Sequence, residues 1–148
     1  MGRGQLSLDL MFAVTLIMLT LVGAVSVANH EVKSARTIDS ASKLKVFAID
    51  VRDTVIKAYS SGPGFIVRKS YPFPLEGNDE VQVVLNATDN RLKVSARLSG
   101  DTYVVYQDLP IRLVATSTVT LNSTVRTFKV VVRYNETVGA YDVRLEKG

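Results

Sequence analysis

Two hydrophobic periodicities divide the chain. From Leu10 to Ala28 nineteen consecutive residues carry no charge. In helix they cover roughly 28 Å at 1.5 Å per residue, about one hydrocarbon core. Beyond Ala28 the apolar residues recur at three- and four-residue steps: Val32, Ala35, Ile38, Ala41 or Ser42, Val46, Ile49, Asp53 or Val55, and Ile56. Lys33, Arg36, Lys43, Lys45, Asp50 and Arg52 fall largely between them, which predicts an amphipathic helix. No Pro interrupts before Pro63, and Ser60-Ser61-Gly62-Pro63-Gly64 is a firm stop. The pattern predicts one helix from about Leu6 to Tyr59, on the order of 80 Å long. It is apolar on all sides over 5–28 and amphipathic over 29–61.

From Phe65 the period changes from 3.6 to 2. Leu92, Val94, Ala96 and Leu98 alternate with Arg91, Lys93, Ser95 and Arg97, the pattern of a half-buried strand. Ser99-Gly100 is a hairpin signal leading into Thr102–Tyr106. Further strands are expected at 81–85, over the alternation running from Ile111 to Leu121, at 125–134 and at 140–146, with Pro110 at a strand start or edge. Five or six strands in sequence order predict an antiparallel meander or small β-sandwich over 62–148. The amphipathic part of the helix is the natural element to cover one of its faces. The expected fold class is α+β, a long N-terminal helix followed by an antiparallel β head.

Composition narrows the chemistry. The chain has no Cys, which removes disulfides and Cys-ligated zinc, and its single His30 has no second imidazole with which to share a metal. The net charge of +4 is scattered, with no run that would grip nucleic acid. Asp50 and Asp53 share a helical face at i,i+3 beside Arg52 and Lys57, an arrangement that reads as an exposed charged surface. The stretch Glu76-Gly77-Asn78-Asp79-Glu80 offers oxygens to a cation without the spacing of an EF-hand, and reads as a solvated loop. Ser60 and Ser61 have no partner motif for a nucleophile. Tyr103, Tyr106, Tyr134 and Tyr141 are candidates for an aromatic surface or for strand packing. The expectation is no enzyme activity, no catalytic residue, no metal and no cofactor.

The N-terminus carries a resemblance. Arg3-Gly4, then Gln5-x-Ser7-x-Asp9, then an apolar helix resembles the class III signal sequence of archaeal type IV pilin precursors. Asp9 stands where that family commonly has Glu, and Ala13 where it commonly has Leu. The resemblance implies a leader of residues 1–4 that a prepilin peptidase removes by cutting Gly4–Gln5. It also implies a retained apolar helix over 5–28 that becomes a filament core, with Gln5, Ser7, Asp9 and Phe12 as assembly positions. Its further implications are a homopolymer, a precursor held in the cell membrane with a cytoplasmic N-terminus, an extracellular filament after processing, and a role in adhesion.

Physical chemistry adds a reason for Asp9. A carboxylate at the start of an apolar helix is costly unless it stays near the lipid headgroups or meets a cation, and the new α-amino group of a neighbouring Gln5 is a suitable one. A plain cap on a membrane-spanning helix is the simpler use of the same residue. Two other functions fit the same layout: a single-pass membrane anchor for an extracellular β binding module, and a low-abundance pilin-like component of a secretion or DNA-uptake machine. An ordinary secretory cut after Val25-Ser26-Val27-Ala28 is a further alternative.

Three sequons, Asn86-Ala-Thr88, Asn122-Ser-Thr124 and Asn135-Glu-Thr137, fall at expected turns. With 6 Asn and 24 Ser plus Thr in 148 residues, about one is expected by chance. Asn86, Asn122 and Asn135 are therefore candidate N-glycan acceptors, on the side of the membrane away from the N-terminus.

Overall fold

The computed structural model describes residues 3–148, with side chains from Leu8 onward. Helix α1 (Arg3–Ser61) is continuous over 59 residues and ends where the Gly-Pro-Gly signal places its end. Gly62 takes a φ of +89°, a left-handed conformation that costs a residue without Cβ little, and its N–H donates to the Tyr59 carbonyl (3.2 Å). The chain divides within α1 into two compact units, Met1–Asp39 and Ser40–Gly148. In the first, the large apolar side chains from Leu8 to Val27 are all 45 to 69% exposed.

The second unit combines the last turns of α1 with seven strands: β1 (Ile66–Ser70), β2 (Glu80–Asn86), β3 (Arg91–Leu98), β4 (Asp101–Asp108), β5 (Ser117–Leu121), β6 (Thr127–Asn135) and β7 (Ala140–Lys147). They form two antiparallel sheets, one ordered β1-β6-β7 and one ordered β4-β3-β2-β5. The order is not a meander: β5 crosses over to pair with β2 outside the β3–β4 hairpin, Val83 opposite Val119. Strands β5 and β7 approach where the Leu145 N–H donates to Ser117 Oγ (3.0 Å). The β3–β4 turn is the two-residue Ser99-Gly100, with φ of +51° and +90°.

Alternation places Val81, Val83 and Leu85 of β2, Leu92 and Val94 of β3, Phe128, Val130 and Val132 of β6, and Val143 and Leu145 of β7 in one core with α1. The helix contributes Leu44, Phe47, Ala48, Val51, Val55 and Ala58, a stripe at i, i+3, i+4, i+7, i+11 and i+14. This corrects the expected stripe. Val46 and Ile49, expected inward, are 65 and 38% exposed, and only Val55 and the partly buried Ile56 of that set meet the core. Phe47 settles the rotation. Its ring meets Tyr71 edge-on at 4.9 Å between centroids and Phe128 at 6.4 Å, contacts that no side chain of the expected stripe is large enough to replace.

Three strand expectations also change. β1 was not expected. The Ile111–Thr116 stretch is not strand, and Pro110 lies in the connection before it. Leu113 is nevertheless buried, its N–H donating to Asn90 Oδ1 (2.9 Å), so a loop supplied the alternation that resembled a strand.

Tyr71 lies in the same core. Burial, and secondarily the Asp79 carboxylate, pushes its phenol above the ordinary value of 10.0. The folded chain therefore keeps this proton at a pH where the unfolded chain loses it, and stability falls as pH rises through about 10. Urea midpoints measured on either side of that pH are expected to show the fall, and Tyr71→Phe to reduce it.

Candidate functional site

The apolar segment of α1 is the first candidate. Asp9 and Phe12 are both exposed, the carboxylate one turn before a surface of Leu, Met, Phe, Val and Ile side chains. Two of the few polar side chains that follow are satisfied within the helix: the Thr15 hydroxyl donates to the Met11 carbonyl (2.7 Å) and that of Thr20 to the Leu16 carbonyl (2.9 Å). Such hydroxyls present little unpaired polarity to an apolar environment. By length and composition this helix is able to cross a membrane. Met1 and Gly2 of the expected leader, and the side chains of Arg3, Gln5 and Ser7 about the expected Gly4–Gln5 cut, lie outside the described residues.

The polar clusters singled out in the sequence make contacts within the fold. Asp50 takes the Lys69 ammonium at 2.8 Å on both carboxylate oxygens, joining α1 to β1. Arg52 turns to Asp53 and to the Asp108 carbonyl. In the acidic loop, Asp79 accepts the Glu76 N–H (3.2 Å) and the Ser99 N–H (2.8 Å), tying the loop to the β3–β4 turn. Among the described residues no group of three or more His, Asp or Glu side chains is placed to hold a metal. The Ser60 and Ser61 hydroxyls donate back into α1.

The four tyrosines do not make one surface. Tyr134 and Tyr141 pair across β6–β7, and Tyr141 also meets Tyr59 edge-on. Tyr103 and Tyr106 alternate to opposite faces of β4, in the other sheet.

One buried acid escaped the sequence reading. Asp142 is 3% exposed; Arg144 Nε donates to its Oδ2, while Oδ1 has no partner among the described residues. Its alternation with Tyr141, Val143 and Leu145 assigns it correctly to the other face of β7. Nothing in that pattern signals that the position is covered.

The three sequons share one geometry. Asn86 ends β2, Asn122 follows β5 and Asn135 ends β6. In each, the side-chain Oδ1 accepts the backbone N–H of the Thr two residues on: Thr88 (3.0 Å), Thr124 (2.9 Å) and Thr137 (3.1 Å). Asn122 and Asn135 accept a second N–H, from Val125 and Val138. Asn90 differs, its oxygen holding the distant Leu113, and Asn78 lies in a turn without a sequon.

No family model matches the chain, and no curated protein or solved structure matches it.

Proposed function

We propose that this chain is the precursor of an archaeal type IV pilin-like filament subunit. A prepilin peptidase cuts Gly4–Gln5 while the apolar helix holds the precursor in the membrane with its N-terminus in the cytoplasm. The mature helices then leave the lipid and pack as the core of a homopolymer, and the β head, residues 62–148, faces outward. Adhesion is the role that the resemblance implies.

The observation that carries this reading is the continuity of α1. One uninterrupted helix is apolar on all sides over its first part and supplies a core stripe to a folded unit with its last part. A helix apolar all round has to be surrounded by something other than water. A lipid bilayer meets that need, and so does a bundle of identical helices. Exchanging lipid contact for helix contact costs little, because lipid tails are as apolar as Leu, and close packing then decides the arrangement. A purely spanning helix uses Asp9 as a cap and nothing more, whereas a cleaved and assembling one gives it a second use, as the partner of the α-amino group that a cut after Arg3-Gly4 creates on Gln5.

The second reading is a single-pass anchor for a β binding module. The uncharged stretch favours it, since nineteen residues match one bilayer. Mass and N-terminal sequence of the chain recovered from its native membrane or surface fraction separate the readings. The expected chain begins at Gln5. One that still begins at Met1 or Gly2 would sink the filament reading and leave the anchored module. A start near Asn29 would mean ordinary secretion.

A further inference from the structure

We propose that Asn86, Asn122 and Asn135 are three N-glycosylated positions, each presented to an oligosaccharyltransferase by the same side-chain turn. The proposal rests on the reading that places the β head outside the membrane.

The geometry goes beyond the motif. Backbone N–H groups can only donate, so the amide atom they meet in each Asn has to be the oxygen. With Oδ1 held inward at 2.9 to 3.1 Å from the Thr nitrogen, Nδ2 takes the other branch of the amide. Among the described residues Nδ2 of none of the three donates to a protein acceptor, and none of the Thr88, Thr124 and Thr137 hydroxyls is engaged. All three of those Thr residues are exposed. The two groups that define the sequon, the amide nitrogen and the hydroxyl, are therefore free together at every site. Asn122 is itself exposed and Asn86 and Asn135 are half-buried, so each site reaches the surface of the folded unit.

Two of the sites are also well apart. β2 and β5 run antiparallel, so Asn86 and Asn122 lie at opposite ends of one sheet. Asn135 ends a nine-residue strand whose start follows the Asn122 turn. The separation of Asn86 from Asn122 keeps their two bulky, hydrated sugars from competing for one patch, and each of the three sites is removable singly.

The reaction takes a lipid-linked oligosaccharide phosphate as co-reactant. Asn Nδ2 forms a bond to C1 of the reducing-end sugar, and the C1–O bond to the lipid phosphate breaks. The phosphate leaves with the electron pair, and the amide proton goes to a base of the transferase.

Peptide mass spectrometry of the full chain from its native surface fraction tests this, with Thr88→Val, Thr124→Val and Thr137→Val beside the natural chain. Each variant deletes the hydroxyl and keeps the backbone N–H that holds Asn Oδ1, so the turn survives and the sequon does not. The expected result is a sugar mass on all three peptides, lost one site at a time in the Val variants and restored in Thr→Ser. Unmodified peptides on a chain that begins at Gln5 would overturn the proposal and leave the filament reading standing. Sugar on a chain that still begins at Met1 would support it and remove the filament reading instead.

Discussion

Phe47→Ala is expected to destabilise the Ser40–Gly148 unit by about 3–5 kcal/mol, while Val46→Ala, one position earlier, changes stability by no more than about 0.5 kcal/mol. Phe47 is 2% exposed and meets both Tyr71 and Phe128 edge-on. Its removal forfeits the transfer energy of a large ring, leaves a void in a close-packed interior, and breaks two aromatic pairs worth about 0.5–1.5 kcal/mol each beyond their burial. Set against the roughly 5–15 kcal/mol that holds an ordinary domain together, that loss approaches the whole margin. At roughly 4–6 °C per kcal/mol for a unit of this size, the melting temperature should fall by ~15–25 °C. The readout is the near-ultraviolet tyrosine signal of the full chain in detergent, because Tyr71 sits in the same aromatic cluster. Equal losses from the two variants would mean that α1 is rotated and that the stripe through Val46 faces the core.

The contrast between these neighbours shows what was legible in the sequence. Spacing fixed that a long helix exists, and Gly62 with Pro63 fixed its end. It did not fix which face is buried, because two sets of apolar residues satisfy the same three- and four-residue steps. The choice depends on the partner, and the partner rings, Tyr71 and Phe128, lie far along the chain. The same limit explains the strands. β3, β4 and the Ser99-Gly100 turn are local and were read correctly, whereas the pairing of β5 with β2 is non-local and left no local trace. β1 was missed because five residues between Pro63 and Pro72 alternate only weakly, with three of the five exposed.

Site chemistry divides in a similar way. The sequons are readable as motifs, and their place at strand ends follows from turn propensity. That each Thr N–H returns to its own Asn is a conformational fact the motif permits without requiring. Asp142 lies beyond reading altogether. A carboxylate in an alternating strand looks solvated, and only the fold shows it buried and paired with Arg144.

Asp9→Lys is expected to reduce surface filaments at least tenfold while leaving Gly4–Gln5 cleavage and the fold of the β head intact. In the proposed assembly the Asp9 carboxylate is paired, within an apolar bundle, by the α-amino group that cleavage creates on a neighbouring Gln5. Removing one partner of a buried ion pair costs about 3–5 kcal/mol, because the other charge stays buried without compensation. Reversing the sign adds repulsion between two cations. Since about 1.4 kcal/mol is a factor of ten in an equilibrium, even a third of that cost depletes the assembled state severely. Lipid does not discriminate in this way: a Lys near the end of a spanning helix reaches the headgroups at least as readily as Asp. The membrane-held precursor should therefore accumulate at normal levels. Asp9→Glu keeps the charge and should keep the filaments. Electron microscopy of the cell surface, with immunoblots of the membrane fraction, reads both quantities. Filaments undiminished by Asp9→Lys would show that the carboxylate only caps a spanning helix, and the assembly role given to Asp9 would fall.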